Sequence, residues 1–541
     1  MGALTLKSFP FELRGWDIEK FESFDPTDSF GSNTRVYVSK NQIVLIEPDY
    51  NNNTFNTWLT DKGRQFFDGV FGTWNPKQTN FKTKDLKKNF WSDIVKKILE
   101  SAYIIDHCNK QSLNKKFFTI VIENVSLEVL NILLMLSQNY SFIKLRRSEQ
   151  ININNNLESD FQLNIAADKI KLNSSTLCLL ISNNPRHEGY YLNINLRQRY
   201  LKGNFKCFSL GSLIDLSFPV SFLGSNTQTL KTIAEGNSLI CQDLKSSKNP
   251  LIIYNSDLLK RSDSFTIMKI LKFLNNACKI NNTWNSLNMV SSSLSENGNY
   301  LLNNISGLTL KDLNNYSTLY FINVTTNNVS SLKKITELHL LNYSTNKETT
   351  LKNNLVLDQN YKEYNNLNFH NKLINANNNE CYQYLPTSVF YENEETFLNT
   401  EGFFKRTVKL ISRKKTRNNW QISRKLLKNL RKNLVSFDKK NNNILFFNSN
   451  KLINFKNFIH FNFYASQSLT NLNFYLTLKT EPLIIINNYN NFKKQTNKIN
   501  NTKLKYWLDD FFTSGKDEYS HNSLLLTNCS KILRSEQTNF F

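Results

Sequence analysis

The chain has 541 residues, of which 67 are Lys or Arg and 44 are Asp or Glu, so its formal net charge is +23. This length predicts two to four domains, and the 40 Phe and 22 Tyr exclude a chain that is disordered throughout. The sequence has no apolar run of the roughly 18 residues that a membrane-spanning helix needs, so we expect no membrane span.

The composition is biased as well as basic. Asn is the most frequent residue, whereas the chain has only 15 Gly and 9 Pro. Asn, Lys, Ile, Phe and Tyr have AT-rich codons, so the bias is typical of an AT-rich genome such as an organelle's, and it explains the Lys surplus without a binding role. Nucleic acid, an anionic membrane surface or acidic partner subunits remain open as functional explanations of the charge.

The seven cysteines form no recognisable local site. No C-x-x-C pair occurs, which argues against a zinc or iron–sulfur site built from neighbouring residues. The amino-terminal run MGALTLKSFPFELRGW is typical of neither a signal peptide nor a mitochondrial presequence. For an organellar protein this predicts synthesis inside the organelle.

Residues 1–80 are predicted to form a small β-rich domain. Two β-branched runs, at 34–38 and 42–46, are separated by Ser39-Lys40-Asn41, which is a pattern typical of a hairpin. The polar segment at 58–70 is expected to wrap the edge of this sheet.

Residues 81–440 alternate short apolar runs with longer segments of helical periodicity. Strands are predicted at 117–122, 177–182, 205–210, 251–254 and 319–324. Helices are predicted at 91–103, 126–137, 188–201, 227–235 and 264–274. Continuous apolar strands that alternate with helices favour parallel sheets with helices on both faces. The predicted fold class is therefore α/β, with room for two such units after the β-rich domain.

Three further segments differ in composition. Residues 345–380 are polar and Asn-rich and are predicted to be an insertion. Residues 404–434 are basic, and apolar residues recur at helical spacing from Trp420 to Leu434. We favour a packed helix with a solvated basic face here over a nucleic-acid or lipid patch. Residues 441–541 form a divergent extension for which the sequence predicts no fold.

Motifs for self-sufficient catalysis are scarce. The chain contains no G-x-G and no P-loop, and none of its six histidines lies in an H-E-x-x-H pattern. Glu392, Glu394 and Glu395 are suited to acid–base chemistry, but exposed acids on a turn explain them equally well. The residues alone therefore predict a basic α/β protein that is not an independent enzyme.

Three separated segments carry a family pattern. The first begins with Gly2-Ala3-Leu4-Thr5, the second contains Ser182-Asn183-Asn184-Pro185-Arg186, and the third contains Asn399-Thr400-Glu401-Gly402. In their order and spacing these segments resemble the large iron–sulfur subunit of respiratory complex I, NADH:ubiquinone oxidoreductase. The resemblance covers roughly residues 1–80, 177–275 and 380–430, and it is to the carboxyl-terminal, molybdopterin-oxidoreductase-like half of that subunit.

The resemblance implies a fold and a role. The fold would be a small degenerate β-rich cap domain at 1–80, then interleaved molybdopterin-oxidoreductase-like α/β domains with mostly parallel sheets at 81–440. In molybdopterin enzymes, loops after strands hold the pterin nucleotide, and the loop at 182–186 corresponds to one of them. With so few glycines, this loop and Asn399, Glu401 and Gly402 are expected to be vestigial. No catalytic residue, no metal ligand and no cofactor is expected on this chain.

The resemblance also implies partners. In the family, the Gly-Ala-Leu-Thr run follows the last Cys ligand of a [4Fe–4S] cluster, and that Cys is absent here. We therefore expect the [4Fe–4S] and [2Fe–2S] clusters on a separate chain that corresponds to the amino-terminal half of the subunit. Gly2, Ala3, Leu4 and Thr5 are expected to dock beside a cluster of that chain.

Three functions from different classes follow for the chain. The first is a structural core subunit in the matrix-side, NADH-oxidising arm of mitochondrial complex I, among other peripheral-arm subunits. The second is a working molybdopterin oxidoreductase, which would contain molybdenum. The third is a basic nucleic-acid-binding protein, which no recognised motif supports. The first is favoured, with no nucleic-acid partner expected.

Overall fold

The computed structural model describes residues 9, 13–49, 58–72, 95, 117–140, 142–148, 169–278, 286–298, 305–308, 316–323, 372–375, 383–384, 388–401, 403–411, 417–441, 501–505, 512, 519–520 and 523–538. Within them the chain forms a small antiparallel sheet, two five-stranded sheets covered by helices, and a short hairpin. This mixed α/β architecture agrees with the predicted fold class. None of the helices in these segments is long and apolar enough to span a membrane.

The amino-terminal sheet is an antiparallel meander. Its strands are β1 (Glu19–Phe24), β2 (Asn33–Ser39) and β3 (Gln42–Pro48), paired in chain order. Lys40 and Asn41 form the predicted turn with φ values of +46° and +67°, the left-handed conformation that a two-residue hairpin requires. Two short helices, α1 (Asp61–Gln65) and α2 (Phe67–Gly72), cover the sheet at the place where an edge-wrapping segment is predicted.

A second sheet, which we call the mixed sheet, is built from β4 (Phe117–Ile122), β5 (Ile143–Arg147), β11 (Tyr316–Ile322), β12 (Lys372–Asn375) and β13 (Gln383–Tyr384). β4, β5 and β11 are parallel, whereas β12 and β13 are antiparallel additions at one edge. Helices α3 (Leu127–Asn139) and α10 (Asn419–Asn441) pack on each other beside it. Trp420, Leu426 and Leu430 of α10 lie in the core shared with α3, so the prediction of a packed basic helix is confirmed.

The central sheet is entirely parallel. Its strands are β6 (Leu177–Ile181), β7 (Lys206–Leu210), β8 (Ser221–Gly224), β9 (Pro250–Asn255) and β10 (Leu287–Val290), in the spatial order β10-β9-β6-β7-β8. The helices around it are α4 (Lys169–Ser174), α5 (Pro185–Glu188), α6 (Tyr190–Leu201), α7 (Thr227–Ala234), α8 (Ile240–Ser246) and α9 (Ser264–Ala277). Separate apolar cores lie on the two faces of the sheet, which explains why its strands are apolar at successive positions.

Two elements complete the described part of the chain. β14 (Thr396–Leu398) and β15 (Phe404–Arg406) form a hairpin, and α11 (Leu524–Thr538) packs near α1. The insertion predicted at 345–380 and the helix predicted at 91–103 lie almost wholly outside the described residues. The domain boundaries at 80 and 440 remain predictions.

Candidate functional site

The central sheet has a switch point between β6 and β9. From β6 the chain continues through β7 to β8 on one side, and it returns to β9 and β10 on the other side. Ligands of open α/β sheets bind beyond the carboxyl ends of the strands at such a point. The loop predicted from the sequence, Ser182–Arg186, follows β6 and therefore lies at this position.

Ser182 holds the start of the loop tightly against its neighbours. Its backbone has a φ of +53°, its N–H donates to the Leu210 carbonyl at 2.7 Å, and its hydroxyl donates to the Leu504 carbonyl at 3.4 Å. Gly211 has a φ of +129°, and a Cβ placed on it would lie 3.1 Å from the Ser182 Cα. A side chain at Gly211 would therefore be strained and crowded, and the turns after β6 and β7 pack directly on each other.

The rest of the loop presents amides to the interior and charge to the surface. Asn183 is 3% exposed, and among the described residues neither its amide nitrogen nor its amide oxygen has a hydrogen-bond partner. The Asn184 N–H donates to Glu188 Oε2 at 3.0 Å, and Pro185 begins α5. Arg186 instead forms an exposed ion pair with Asp215 at 2.8 Å. Hydrogen bonding from the Ser217 backbone and the charge of Arg186 lower the pKa of Asp215.

The other predicted residues, Asn399 and Glu401, reach the same edge from the β14–β15 hairpin. The Asn399 side-chain amide donates to the Phe30 carbonyl at 3.0 Å. The adjacent Thr400 hydroxyl bonds to the Ser291 hydroxyl, which directly follows β10, at 2.6 Å. The structure therefore brings the 182–186 loop and the 399–401 turn to one edge of the central sheet, whereas Gly402 lies outside the described residues.

Phe30 occupies the space between the amino-terminal sheet and the central sheet. It is 2% exposed and lies in the core that also contains Leu180 and Val290. Its ring centroid is 5.9 Å from that of Tyr191, and a Cβ placed on Gly189 would approach the ring to 2.5 Å. The edge of the sheet is thus filled by a side chain of the protein itself. Sequence reasoning did not single out Phe30, because one Phe among 40 carries no signal.

Buried carboxylates surround the packing of Phe30 on the central sheet. Burial and the negative charge of Asp25 raise the pKa of Asp28 to about 7. Burial also raises the pKa of Glu401 to about 7, although the charge of Lys405 opposes the rise. Burial lowers the pKa of Lys405, against the charges of Glu401 and Asp28. Asp28 and Glu401 therefore titrate near neutral pH, and their described contacts are with the protein's own chain.

A second polar cluster follows β9 and β10. Glu296 accepts hydrogen bonds from the Ser256 hydroxyl at 2.7 Å and from the Ser292 hydroxyl at 2.6 Å. Lys260 lies 3.2 Å from Glu296 and 3.2 Å from Asp257. Asp257 and Glu296 therefore share the Lys260 ammonium, and this cluster is held by its own charges and hydroxyls.

The three glutamates noted in the sequence lie in different environments. Glu395 is buried, and burial together with the charge of buried Glu128 raises its pKa to about 8. Glu128, in the first turn of α3, accepts a hydrogen bond from the Thr396 N–H at 3.0 Å. Glu392 is buried near Val389, whose N–H donates to it at 3.2 Å, whereas Glu394 is largely exposed. Glu392 and Glu395 are therefore not the exposed turn acids of the simpler interpretation.

Comparison with known protein families decides the origin of this architecture. A family model described as molybdopterin oxidoreductase matches residues 91–429, which is more than half of the chain. The chain belongs to the molybdopterin oxidoreductase family. A second model, described as NADH-ubiquinone oxidoreductase NDSU1/NuoG-like, 4Fe-4S domain, matches residues 18–68 of this family member.

Individual relatives agree with the family models. The chain is 32% identical over 314 residues to the NADH-ubiquinone oxidoreductase 75 kDa subunit of Reclinomonas americana, which covers 55% of this chain and 44% of that protein. It is 26% identical over 295 residues to NADH dehydrogenase [ubiquinone] iron-sulfur protein 1 of Solanum tuberosum, covering 54% of this chain and 38% of that protein. It is also 25% identical over 310 residues to the 78 kDa subunit of Candida albicans. The matches thus extend over less than half the length of these relatives.

The match at 18–68 corrects one expectation. We expected the iron–sulfur clusters on a partner chain only, whereas a 4Fe–4S domain model matches residues 18–68 of this molybdopterin-oxidoreductase-family chain itself. The matched segment nevertheless contains neither Cys nor His, and the first cysteine of the chain is Cys108. Thiolates are the usual ligands of these clusters. The residues of this segment therefore do not fit a bound [4Fe–4S] cluster.

The central-sheet edge does not fit a pterin nucleotide either. The Ser182 backbone and hydroxyl bond to other parts of the chain, and Phe30 fills the interior beside Gly189. Across the described residues no group of three or more His, Cys, Asp or Glu is placed to hold a metal ion. Gly2, Ala3, Leu4 and Thr5 lie outside those residues, so their docking role stays a prediction.

Proposed function

We propose that this chain is a structural core subunit of mitochondrial respiratory complex I, in the peripheral arm that oxidises NADH. In this role it supports electron transfer from NADH to ubiquinone without carrying an active site of its own. The observation that carries the proposal is the match to a complex I 4Fe–4S domain in a segment without cysteine or histidine. Such a segment is related in sequence to a cluster domain but supplies none of the thiolate ligands that a cluster needs.

The geometry supports a scaffolding role. The β14–β15 turn links the amino-terminal sheet to the central sheet: the Thr400 N–H donates to the Ser29 carbonyl at 3.0 Å, and the Asn297 side chain donates to the Asn399 carbonyl at 2.7 Å. Residues that would line a cofactor site thus serve to join subdomains. We therefore take Ser182, Asn183, Asn184, Pro185 and Arg186, with Asn399, Glu401 and Gly402, as vestiges of a pterin site.

The proposal includes the partners and the location. The [4Fe–4S] and [2Fe–2S] clusters would be held by a separate chain equivalent to the amino-terminal half of the relatives, with Gly2, Ala3, Leu4 and Thr5 beside a cluster. Other peripheral-arm subunits would cover further surface, and the assembly would lie on the matrix side of the mitochondrial inner membrane. The names of the relatives and the organelle-like composition support this assignment and synthesis within the organelle.

Native electrophoresis of mitochondrial membranes tests the assignment. We expect the chain in the band that oxidises NADH, identified there by mass spectrometry. On a denaturing gel of the same band, peptides of this chain are expected near 63.2 kDa, and peptides of the cluster-bearing half in a different band. Absence from the NADH-oxidising band would refute the assignment, and co-migration of both halves at a larger mass would refute the separate partner chain.

Elemental analysis of the same native band addresses the main alternative. A working molybdopterin oxidoreductase requires molybdenum, whereas a scaffold requires only the iron of its partner. We expect iron without molybdenum in the purified complex. Molybdenum in a stoichiometric amount with this chain would favour the enzymatic alternative instead.

A further inference from the structure

A short segment from beyond the family match lies across the central-sheet edge. Residues 501–505, which we call the strap, follow the end of the family match by more than seventy positions, since that match ends at residue 429. The strap contacts the chain after β6, after β8 and after β9. It therefore spans both sides of the switch point.

Backbone pairing fixes one side of the strap. Lys503 forms an antiparallel bridge with Asn226 between β8 and α7. The Leu504 N–H donates to the Ser225 carbonyl at 2.9 Å, and the Thr227 N–H donates to the Thr502 carbonyl at 3.1 Å. The strap is thus added to this edge through main-chain hydrogen bonds, as a bound peptide is added to a sheet.

A buried arginine fixes the other side. Arg261 forms a bidentate pair with Asp263, at 2.8 Å and 3.0 Å. The same guanidinium donates to the Lys503 carbonyl at 2.7 Å and to the Thr502 hydroxyl at 2.7 Å. Arginine at the carboxyl edge of such a sheet is suited to binding an anionic ligand. In this structure the Arg261 guanidinium instead donates hydrogen bonds to the strap.

Two side chains of the strap enter the fold. Leu504 is buried in the core that covers one face of the central sheet. The Lys505 side chain is only 2% exposed, and its ammonium lies 3.0 Å from Glu188 Oε1. The other oxygen of Glu188 accepts the Asn184 N–H, so one carboxylate joins the strap to the predicted pterin loop. Removing one partner of such a buried pair leaves an uncompensated charge.

We propose that the strap is the resident occupant of the switch-point crevice, docked there permanently in place of a small-molecule ligand. It engages Ser182, Arg261 and Glu188, three polar side chains of this edge. Because Glu188 is paired by an ammonium of the strap, this side of the crevice suits a cationic peptide segment. The carboxyl-terminal extension is consequently part of the crevice.

Hydrogen exchange on the full-length chain tests this docking. We expect the peptides that contain the Leu504 and Thr227 amides to be protected at least a hundredfold over an unstructured reference. Lys505→Met and Glu188→Gln should each reduce this protection at least tenfold, and protection at Ile252 in β9 should stay within twofold. Lys531→Met, at an exposed position of α11, is the matched control and should change neither value.

A nucleotide challenge separates a resident occupant from a gate. Adding AMP or inorganic phosphate at millimolar concentration should leave the exchange of Leu504 unchanged in the wild-type chain. Faster exchange of Leu504 with either probe would overturn the proposal, because the strap would then be displaced by a ligand. Unprotected Leu504 and Thr227 amides in the wild type would overturn it as well, independently of any variant and of the assignment to complex I.

Discussion

The buried Glu128–Glu395 pair predicts that stability falls as the pH rises. The pKa of Glu395 is raised from 4.5 to about 8 by burial and by the charge of Glu128. This rise corresponds to about 5 kcal/mol of preference for the protonated form in the folded state. The folded chain therefore keeps a proton that the unfolded chain has released, and the stability present at low pH is lost as the pH rises through about 8.

The magnitude follows from these two pKa values. Between about pH 6 and about pH 8 the titration of Glu395 should remove about 2 kcal/mol from the free energy of opening this region. Glu395→Gln keeps the size of the side chain and removes the titration. We expect Glu395→Gln to reduce the slope of the opening free energy against pH by about 1.4 kcal/mol per pH unit near neutrality.

Amide exchange of Thr396 is the local assay, because its N–H donates to Glu128. The opening free energy is measured at several pH values and corrected for the intrinsic pH dependence of exchange. Glu394→Gln is the matched control, since the Glu394 side chain is 43% exposed and 4.0 Å from Arg406. An unchanged slope in Glu395→Gln, or an equal change in Glu394→Gln, would refute the reasoning.

Two further predictions concern the packing at the central-sheet edge. Phe30→Ala should lower the free energy of unfolding by about 3–5 kcal/mol in urea titrations, because it empties a buried site. The control Phe273→Ala, at an exposed position, should lower it by less than about 0.5 kcal/mol, and comparable losses in the two variants would contradict the placement of Phe30. Gly211→Ala should lower the free energy of unfolding by about 1–3 kcal/mol in thermal unfolding, because Gly211 has a φ of +129° and its Cβ would lie 3.1 Å from Ser182. The control Gly15→Ala should be nearly neutral, because a Cβ there meets no atom within 4 Å. A neutral Gly211→Ala would show that the turns after β6 and β7 do not pack as described.

Apolar periodicity predicted much of the central architecture. The strand predicted at 117–122 coincides with β4, and those at 177–182 and 205–210 differ from β6 and β7 by one residue at one end. The strand predicted at 251–254 is one residue shorter than β9 at each end. Their residues are buried on both faces, so the continuous apolar pattern has a direct physical cause. The prediction at 319–324 was shifted, since β11 begins at Tyr316 and ends at Ile322.

Strands with mixed polarity escaped prediction. β1 (EKFESF) places charged and polar residues around two phenylalanines, and β5 (IKLRR) alternates apolar residues with Lys and Arg. Alternation over so short a run is hard to distinguish from a polar loop. β8 and β10 have only four residues each, so their place in the sheet depends on neighbouring strands rather than on their own pattern.

The loop at the candidate site was predictable, whereas the distant side chains that fill the site were not. The apolar pattern predicted the strand before Ser182–Arg186, and the family resemblance singled out this loop at the end of that strand. Phe30 and Leu504 reach the same edge from distant parts of the sequence, and their contacts depend on tertiary packing. No periodicity or motif in a single sequence encodes such long-range pairs.

The strap also constrains how the protein is made. Glu188 and Lys505 are 317 residues apart in the chain, so the ribosome must complete nearly the whole polypeptide before their ion pair forms. Contacts of such long range form slowly, and until they form the nascent chain exposes the carboxyl edge of the central sheet. A chain in that state is prone to aggregation, so its folding is expected to need protection until residues 501–505 have left the ribosome.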